Sequence, residues 1–262
     1  MRIELQKRAG ASNTFALLSA LIALALMMIA GALMFIILGK NPLTGLYVYF
    51  IEPLTDPWSR EQILVKATPL TLIAIGLAVC FRSGNWNIGA EGQYLIGGLF
   101  GAALPVLFHQ WESPILLPLM LLMGMAGGAL YGFIPAILKS RFGTNEILTS
   151  LMLVYVAQQF VDWVVRGPWR DPMGMGFPGT RSFNESGALP KLFEFGDAHY
   201  GAVLAVISAI VLWFLLSKTL KGFEIAVLGQ NPRAGRFAGF SAKKMTIFAF
   251  LVSGALAGLA GI

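Results

Sequence analysis

No charged residue falls between Arg8 and Lys40, and this run constrains the fold more than any other feature of the chain. A membrane-spanning helix needs about 20 mostly apolar residues. The core of the run, Phe15 to Leu38, meets that length. It is longer than a signal-peptide apolar region of roughly 7–15 residues, and no convincing cleavage site follows it, so a retained helix is expected. Further charge-poor runs lie between Lys66 and Arg82, from Gly92 to Phe108, between Glu112 and Lys139, from Ile147 to Val165 (with Asp162 near its end), from Tyr200 to Ser217, and from Met245 onward. The second of these seven segments is short for a full span.

Composition agrees. Of 262 residues, 56% are hydrophobic and 12% charged, against roughly 25% charged in a soluble domain. The mean hydropathy is +0.72. Too few polar residues exist to cover a soluble globule, which excludes a soluble enzyme, a disordered chain and a nucleic-acid binder. One cysteine excludes a disulfide framework, and two histidines, His109 and His199, make a histidine metal site unexpected. The expected fold is an all-α polytopic membrane protein with about seven hydrophobic segments, forming a single transmembrane domain over 1–262. The chain stops at Ile262 inside an apolar, glycine-rich stretch, and a C-terminal truncation is expected.

Orientation follows from Lys and Arg in the connecting segments. With the N-terminus inside, the inner segments hold Arg2, Lys7, Arg8, Arg82, Lys139, Arg141, Lys218, Lys221, Arg233, Arg236, Lys243 and Lys244. The outer segments hold most of the acids. Topology and lipid headgroups thereby account for the formal charge of +6 without nucleic acid. Two outer loops, 39–66 and 166–200, and one inner loop, 218–244, are long for connections. Gly174 to Gly179 matches G-x-G-x-x-G, but Pro172 and Pro178 leave no strand before it and no helix opening within it, so no dinucleotide site is expected. No phosphate-cradling loop and no catalytic triad are visible.

Three stretches carry more information. Gly124, Gly128 and Gly132, with Gly97 and Gly101 on the preceding helix and Gly254 and Gly258 on the last, recur every four residues. This spacing lets helix backbones approach closely. The second stretch, Phe81 to Gln93, sets polar residues between two short apolar runs, a discontinuous helix around 82–92. Irregular backbone at membrane depth must be buried in protein or line a water-filled cavity. Asn87 is placed to cap the following helix, with Glu91 in or beside its first turn. Two readings stay open: Asn85, Asn87, Glu91 and Gln93 line a translocation pathway or gate, or they form a structural turn in which Glu91 pairs with Arg82. The third stretch is the inner loop. Asn231-Pro232 reads as an N-cap followed by proline at the first helical position, with a short helix to Ala238 stopped by Gly239. Its apolar residues Ala234, Phe237 and Ala238, flanked by Arg233 and Arg236, call for a surface to cover them, and a partner protein suits best.

Taken together these stretches resemble the permease subunits of bacterial ABC importers, in the branched-chain amino acid and ribose permease superfamily, nucleoside and simple-sugar branch. The resemblance rests on Phe81-Arg82-Ser83-Gly84 with Asn87-Ile88-Gly89-Ala90-Glu91-Gly92-Gln93, on Gly143-Thr144-Asn145-Glu146-Ile147, and on Gly229-Gln230-Asn231-Pro232 with Ala238-Gly239. It implies a multi-pass subunit of the bacterial cytoplasmic (inner) membrane. Its implied partners are a second permease subunit, a cytoplasmic ABC ATPase and an external substrate-binding protein. It also implies that Asn231, Pro232, Arg233, Arg236, Phe237 and Gly239 belong to a coupling helix docked on the ATPase. No cofactor is expected in this chain, since ATP and Mg belong to the ATPase, and no enzymatic activity of its own. The implied cargo is a nucleoside or nucleobase, or a simple sugar, delivered from outside. Family members extend beyond the position where this chain stops. Gly235 stands where the family favours alanine, which implies a shorter or more mobile coupling helix. The rival is a secondary transporter or channel working without an ATPase.

Overall fold

The computed structural model describes residues 13–193 and 196–262. The basic residues Arg2, Lys7 and Arg8 used for orientation, and Glu194, lie outside the described residues. Eleven α-helices occur in the described chain: α1 (Asn13–Ile37), α2 (Pro42–Phe50), α3 (Glu52–Thr55), α4 (Pro57–Arg82), α5 (Ala90–Leu107), α6 (Leu116–Phe142), α7 (Glu146–Arg166), α8 (Gly201–Lys218), α9 (Leu220–Gln230), α10 (Pro232–Phe237) and α11 (Ala242–Gly261). Six of them, α1, α4, α6, α7, α8 and α11, are long and apolar enough to cross a membrane. The chain is an all-α, multi-pass membrane protein. The seventh long helix, α5, has 18 residues, or about 27 Å at 1.5 Å per residue. Glu91 and Gln93 in its opening turns lower its apolarity.

The chain divides into two compact units, one ending at Ile63 and one running from Leu64 to Ile262. In the first, no residue of the apolar span of α1 is buried. Asn41 caps α2, its side-chain oxygen accepting from Leu43 N at 3.0 Å, and Pro42 occupies the first helical position. Gly45 of α2 lies under the Phe35 ring of α1, so close that a Cβ there would stand 2.7 Å from ring carbons.

Two sequence expectations change here. The outer segment 39–66 is largely helical, occupied by α2, α3 and the start of α4. The segment expected between Lys66 and Arg82 is not short. It begins at Pro57, with Arg60, Glu61 and Lys66 in its first turns, giving 26 residues. Asp56 accepts a hydrogen bond from Ser59 N at 2.8 Å, and that backbone donor holds its carboxyl below the usual carboxylate range. Charge in the opening turns ended the apolar run without ending the helix.

In the second unit α5, α6 and α11 pack against one another, and α7 packs on α5. Glycine makes this approach close. A Cβ on Gly97 would lie 2.2 Å from Gly258 Cα, one on Gly128 2.2 Å from the Gly254 carbonyl oxygen, and one on Gly258 2.1 Å from the Gly124 carbonyl oxygen. Gly132 meets the Phe250 carbonyl oxygen at 2.8 Å and Gly101 the Met120 carbonyl oxygen at 2.8 Å, measured from the same added carbon. The helices therefore touch backbone to backbone, the contact that small residues permit in lipid. Leu72, Val79 and Cys80 of α4, Ala205 and Leu212 of α8, and Ile225 and Leu228 of α9 join Ala136, Met245, Ala249 and Phe250 in one buried cluster. The outer segment 166–200 holds one 3-10 turn, Glu185–Gly187, and an antiparallel bridge between Lys191 and His199. Its Gly174–Gly179 stretch forms turns and opens no helix.

The inner segment 218–244 contains a helix the sequence reading omitted, α9. Thr219 caps it, accepting from Gly222 N at 3.2 Å. Eleven residues with apolar side chains scattered around the axis give no clear helical period.

Candidate functional site

Arg82 ends α4, and residues 83–89 are not helical before α5 opens at Ala90. Gly84 has φ +75°, the left-handed conformation that glycine adopts without strain. This break is buried on one side: Ser83, Asn85, Asn87 and Gln93 are all inside the unit, Asn87 and Gln93 at 1% exposure. A buried polar group must find partners within the protein, and here they come from three helices.

Asn87 and Gln93 form a reciprocal amide pair. Asn87 Nδ2 donates to Gln93 Oε1 at 2.9 Å, and Gln93 Nε2 donates back to Asn87 Oδ1 at 3.1 Å. Asn87 Nδ2 also donates to Ser253 Oγ of α11 at 3.0 Å. Ser150 Oγ of α7 accepts from Ile88 N at 3.3 Å. The expectation that Asn87 caps the next helix is corrected. Its oxygen accepts from Gly89 N at 3.1 Å, and the N-cap is Gly89, which has no side-chain cap bond. Asn87 is committed inward to Gln93 and Ser253, so its oxygen is not turned toward the first helical N–H groups.

Asn85 anchors a second set. Its Nδ2 donates to Ser83 Oγ at 2.7 Å, while its Oδ1 accepts from Lys139 Nζ at 2.9 Å and Thr246 Oγ1 at 3.1 Å. Lys139 also pairs with Glu146, and Glu146 accepts from Trp86 N at 3.4 Å. Gly143, with φ +68°, ends α6 in a left-handed cap and turns the chain so that Glu146, in the first turn of α7, meets Lys139. Asn145 caps α7, accepting from Ile147 N at 2.9 Å. With side chains 27% and 13% exposed, the Lys139–Glu146 pair is largely removed from water, so losing either partner would leave the other charge uncompensated.

Glu91 stands apart from both sets. It is exposed on the surface of the chain and accepts from Gln158 Nε2 of α7 at 2.9 Å. Its partner is thus Gln158 rather than the Arg82 of the turn reading. Of the four polar residues singled out in this stretch, the structure joins Asn87 with Gln93 directly, sets Asn85 beside Lys139, and places Glu91 on another face with Gln158. Lys139, Glu146, Ser150, Thr246, Ser253 and Gln158 complete the arrangement and were not read as site residues. Ser253 had a usable signal, the one hydroxyl in the apolar stretch from Ile247 to Gly261, whereas Lys139 reads from sequence as one more basic residue of a connecting segment.

The connection 218–244 supplies the second candidate region. Asn231 Oδ1 accepts from Arg233 N and Ala234 N, each at 3.1 Å, and Pro232 opens α10. Gly239, with φ +82°, follows its end. Phe237 is 95% exposed, and Arg233 and Arg236 are exposed beside it. Gly235 is buried instead: a Cβ there would lie 2.5 Å from Leu228 Cδ2 of α9. Glycine at 235 therefore lets α10 sit close on α9.

A multi-pass helical bundle with a polar break in its interior and a short capped helix in a long connection between spans has the form of a transporter's membrane subunit. Residues 59–262 match the family described as the permease component of branched-chain amino acid transport systems, and the chain belongs to that family. It is 36% identical over 242 residues to a glucose ABC transporter permease protein of Haloferax volcanii, covering 88% of this chain and 63% of that one. It is 33% identical to a guanosine ABC transporter permease protein of Bacillus subtilis, covering 94% and 70%. It is 32% identical to a nucleoside ABC transporter permease protein of Lactococcus lactis, covering 96% and 71%. The chain thus spans about two thirds of the length of these relatives. No solved structure gives a significant match.

Proposed function

We propose that this chain is the membrane-spanning permease subunit of an ATP-driven importer of the cytoplasmic membrane, moving a nucleoside, nucleobase or simple sugar that an external binding protein delivers. The observation that carries the proposal is α10. It is a capped helix of six residues whose Phe237 is bare while Arg233 and Arg236 flank it. An isolated helix this short does not persist by propensity; its caps and its seat on Leu228 hold it in place, with an aromatic side chain left for a partner. A cytoplasmic ATPase is that partner. Family membership and the three relatives support the reading, and both argue against a channel or secondary transporter.

In this reading the subunit performs no bond chemistry. ATP and Mg act in the ATPase, and their cycle shifts the membrane helices between inward-open and outward-open states. A second permease subunit completes the pathway. Glu91 with Gln158 lines it, because an ionisable side chain exposed on a membrane helix calls for a watery cavity or a polar partner. Asn85, Asn87 and Gln93 act as the gate, holding the break in register from the interior. The testing experiment deletes Pro232 to Gly239 and measures ATPase co-purification. Loss of the ATPase is expected; retained binding with persisting transport would overturn the assignment. Uptake of labelled guanosine and glucose by the assembled transporter decides the substrate class.

A further inference from the structure

The two candidate regions touch. Gly229, near the end of α9, lies against the turn that closes α4. A Cβ on Gly229 would stand 2.1 Å from the Arg82 carbonyl oxygen and 3.2 Å from Gly84 N. Reciprocally, a Cβ on Gly84 would meet Gly229 Cα at 3.4 Å. Both sides of this contact are backbone, so neither can yield by swinging a side chain away.

The elements on either side are tightly joined. Asn231 is at once the C-cap of α9 and the N-cap of α10: its N–H donates to the Val227 carbonyl at 2.9 Å, and its side chain accepts from Arg233 N and Ala234 N. Asn231 alone separates the helices, and Gly235 against Leu228 presses α10 onto α9. On the other side, Asn85 N donates to the Cys80 carbonyl at 2.9 Å, closing the turn. The Asn85 side chain then reaches Lys139 of α6 and Thr246 of α11. A rigid elbow thus rests on a turn that carries the polar anchor of the break.

Building on the proposed function, we infer that Gly229 is a positioning residue for transport: displacement of α10 passes through the Gly229–Gly84 contact to Asn85 and loosens its hold on Lys139 and Thr246. Packed elements of this kind transmit displacement because close-packed interiors compress little. An added methyl at Gly229 must lift α9 from the turn by about 1.3 Å, the difference between 2.1 Å and an ordinary 3.4 Å contact. The α10 surface that meets the ATPase keeps its residues, while its link to the break is altered.

The test uses the full transporter assembled with its ATPase, comparing wild type, Gly229→Ala, Asn85→Ala, their combination, the Pro232–Gly239 deletion, and Gly179→Ala, whose added carbon meets nothing within 4 Å. The readouts are ATPase co-purification and guanosine (or glucose) imported per ATP hydrolysed. Gly229→Ala is expected to keep the ATPase bound and to lower the import-to-hydrolysis ratio on the order of tenfold, within the usual range of coupling between sites. Gly179→Ala leaves the ratio unchanged. The double variant is expected to be no worse than the more impaired single, because both changes interrupt one route. An unchanged ratio in Gly229→Ala, or additive losses, would overturn the inference. Retention of the ATPase by the deletion would instead overturn the function on which it rests. Should Gly229→Ala fail to assemble, hydrogen exchange in the wild-type complex decides the matter. Exchange at 83–89 is expected to rise on adding a non-hydrolysable ATP analogue, and exchange unchanged by the analogue would refute the route.

Discussion

Asn87 and Gln93 provide a quantitative test of the interior break. Replacing Asn87 by Leu removes an amide and keeps similar volume. It strands Gln93 Oε1, Gln93 Nε2, Ser253 Oγ and Gly89 N, the four groups that Asn87 now serves. Hydrogen bonds between membrane helices average about 0.6 kcal/mol each, which puts the loss near 2.4 kcal/mol for four. Replacing Gln93 as well, in Asn87→Leu/Gln93→Leu, removes the partners that the first change stranded. Two groups then remain, Ser253 Oγ and Gly89 N, and the loss falls to about 1.2 kcal/mol, since removing both members of a buried pair costs less than removing one. The assay is equilibrium unfolding of the purified protein in mixed detergent, followed by circular dichroism. The reasoning requires the double variant to be more stable than Asn87→Leu. Losses that add across the two substitutions would show that the amide pair does not exist in the membrane.

Other outcomes follow from the same geometry. Gly258→Ala places a carbon 2.1 Å from the Gly124 carbonyl oxygen; overpacking of this kind costs about 1–3 kcal/mol, and the thermal midpoint in detergent should fall, while Gly179→Ala should not move it. Glu91→Gln keeps the hydrogen bond to Gln158 and removes the charge, so uptake should fall while unfolding stability stays the same; equal uptake would take Glu91 out of the pathway. Lys139→Met leaves Glu146 charged and largely buried and should destabilise by about 3 kcal/mol, as removal of one member of a buried pair does. Adding Glu146→Gln should recover most of that loss in the same unfolding assay, and failure to recover would mean that the pair contributes nothing as a pair.

The spans were legible because lipid excludes charge, and the charge-poor runs coincide, to within a few residues, with observed helices. Their ends were less legible. Arg60, Glu61 and Lys66 lie within α4 because a helix continues past the apolar layer wherever its backbone bonds continue. The α10 helix could be read from Asn231-Pro232 because capping is local chemistry. The α9 helix could not, since it carries only a hydroxyl cap and no apolar period. In the site, residue type located the break but not its partners. Asn85 meets Lys139 and Thr246, 54 and 161 residues away, and pairings of that range depend on how the helices cross. The glycine spacing announced close packing in the same incomplete way: it could not say that Gly258 would meet Gly124, or that Gly229 would meet the α4 turn.

The polar groups of the break are distributed unequally among its neighbours, and this bears on how it can move. Toward α6 and α11 the segment is held by Asn85 with Lys139 and Thr246, and by Asn87 with Ser253. Toward α7 it is held by backbone donors: Ile88 N to Ser150 at 3.3 Å and Trp86 N to Glu146 at 3.4 Å, together with the exposed Glu91–Gln158 bond. Long bonds from single N–H groups cost less to break than a buried network in which Asn85 and Asn87 each serve several partners. Backbone-to-backbone glycine contacts reinforce the hold on α11, and on the α7 side Gly89 lies against the Ser150 carbonyl oxygen and Gly92 against Val154 Cα, 2.9 and 3.2 Å from an added Cβ. The face toward α7 is also the one bearing Glu91. If α7 slides along this face while α5, α6 and α11 stay packed, the Glu91–Gln158 bond breaks and the exposed Glu91 loses its partner.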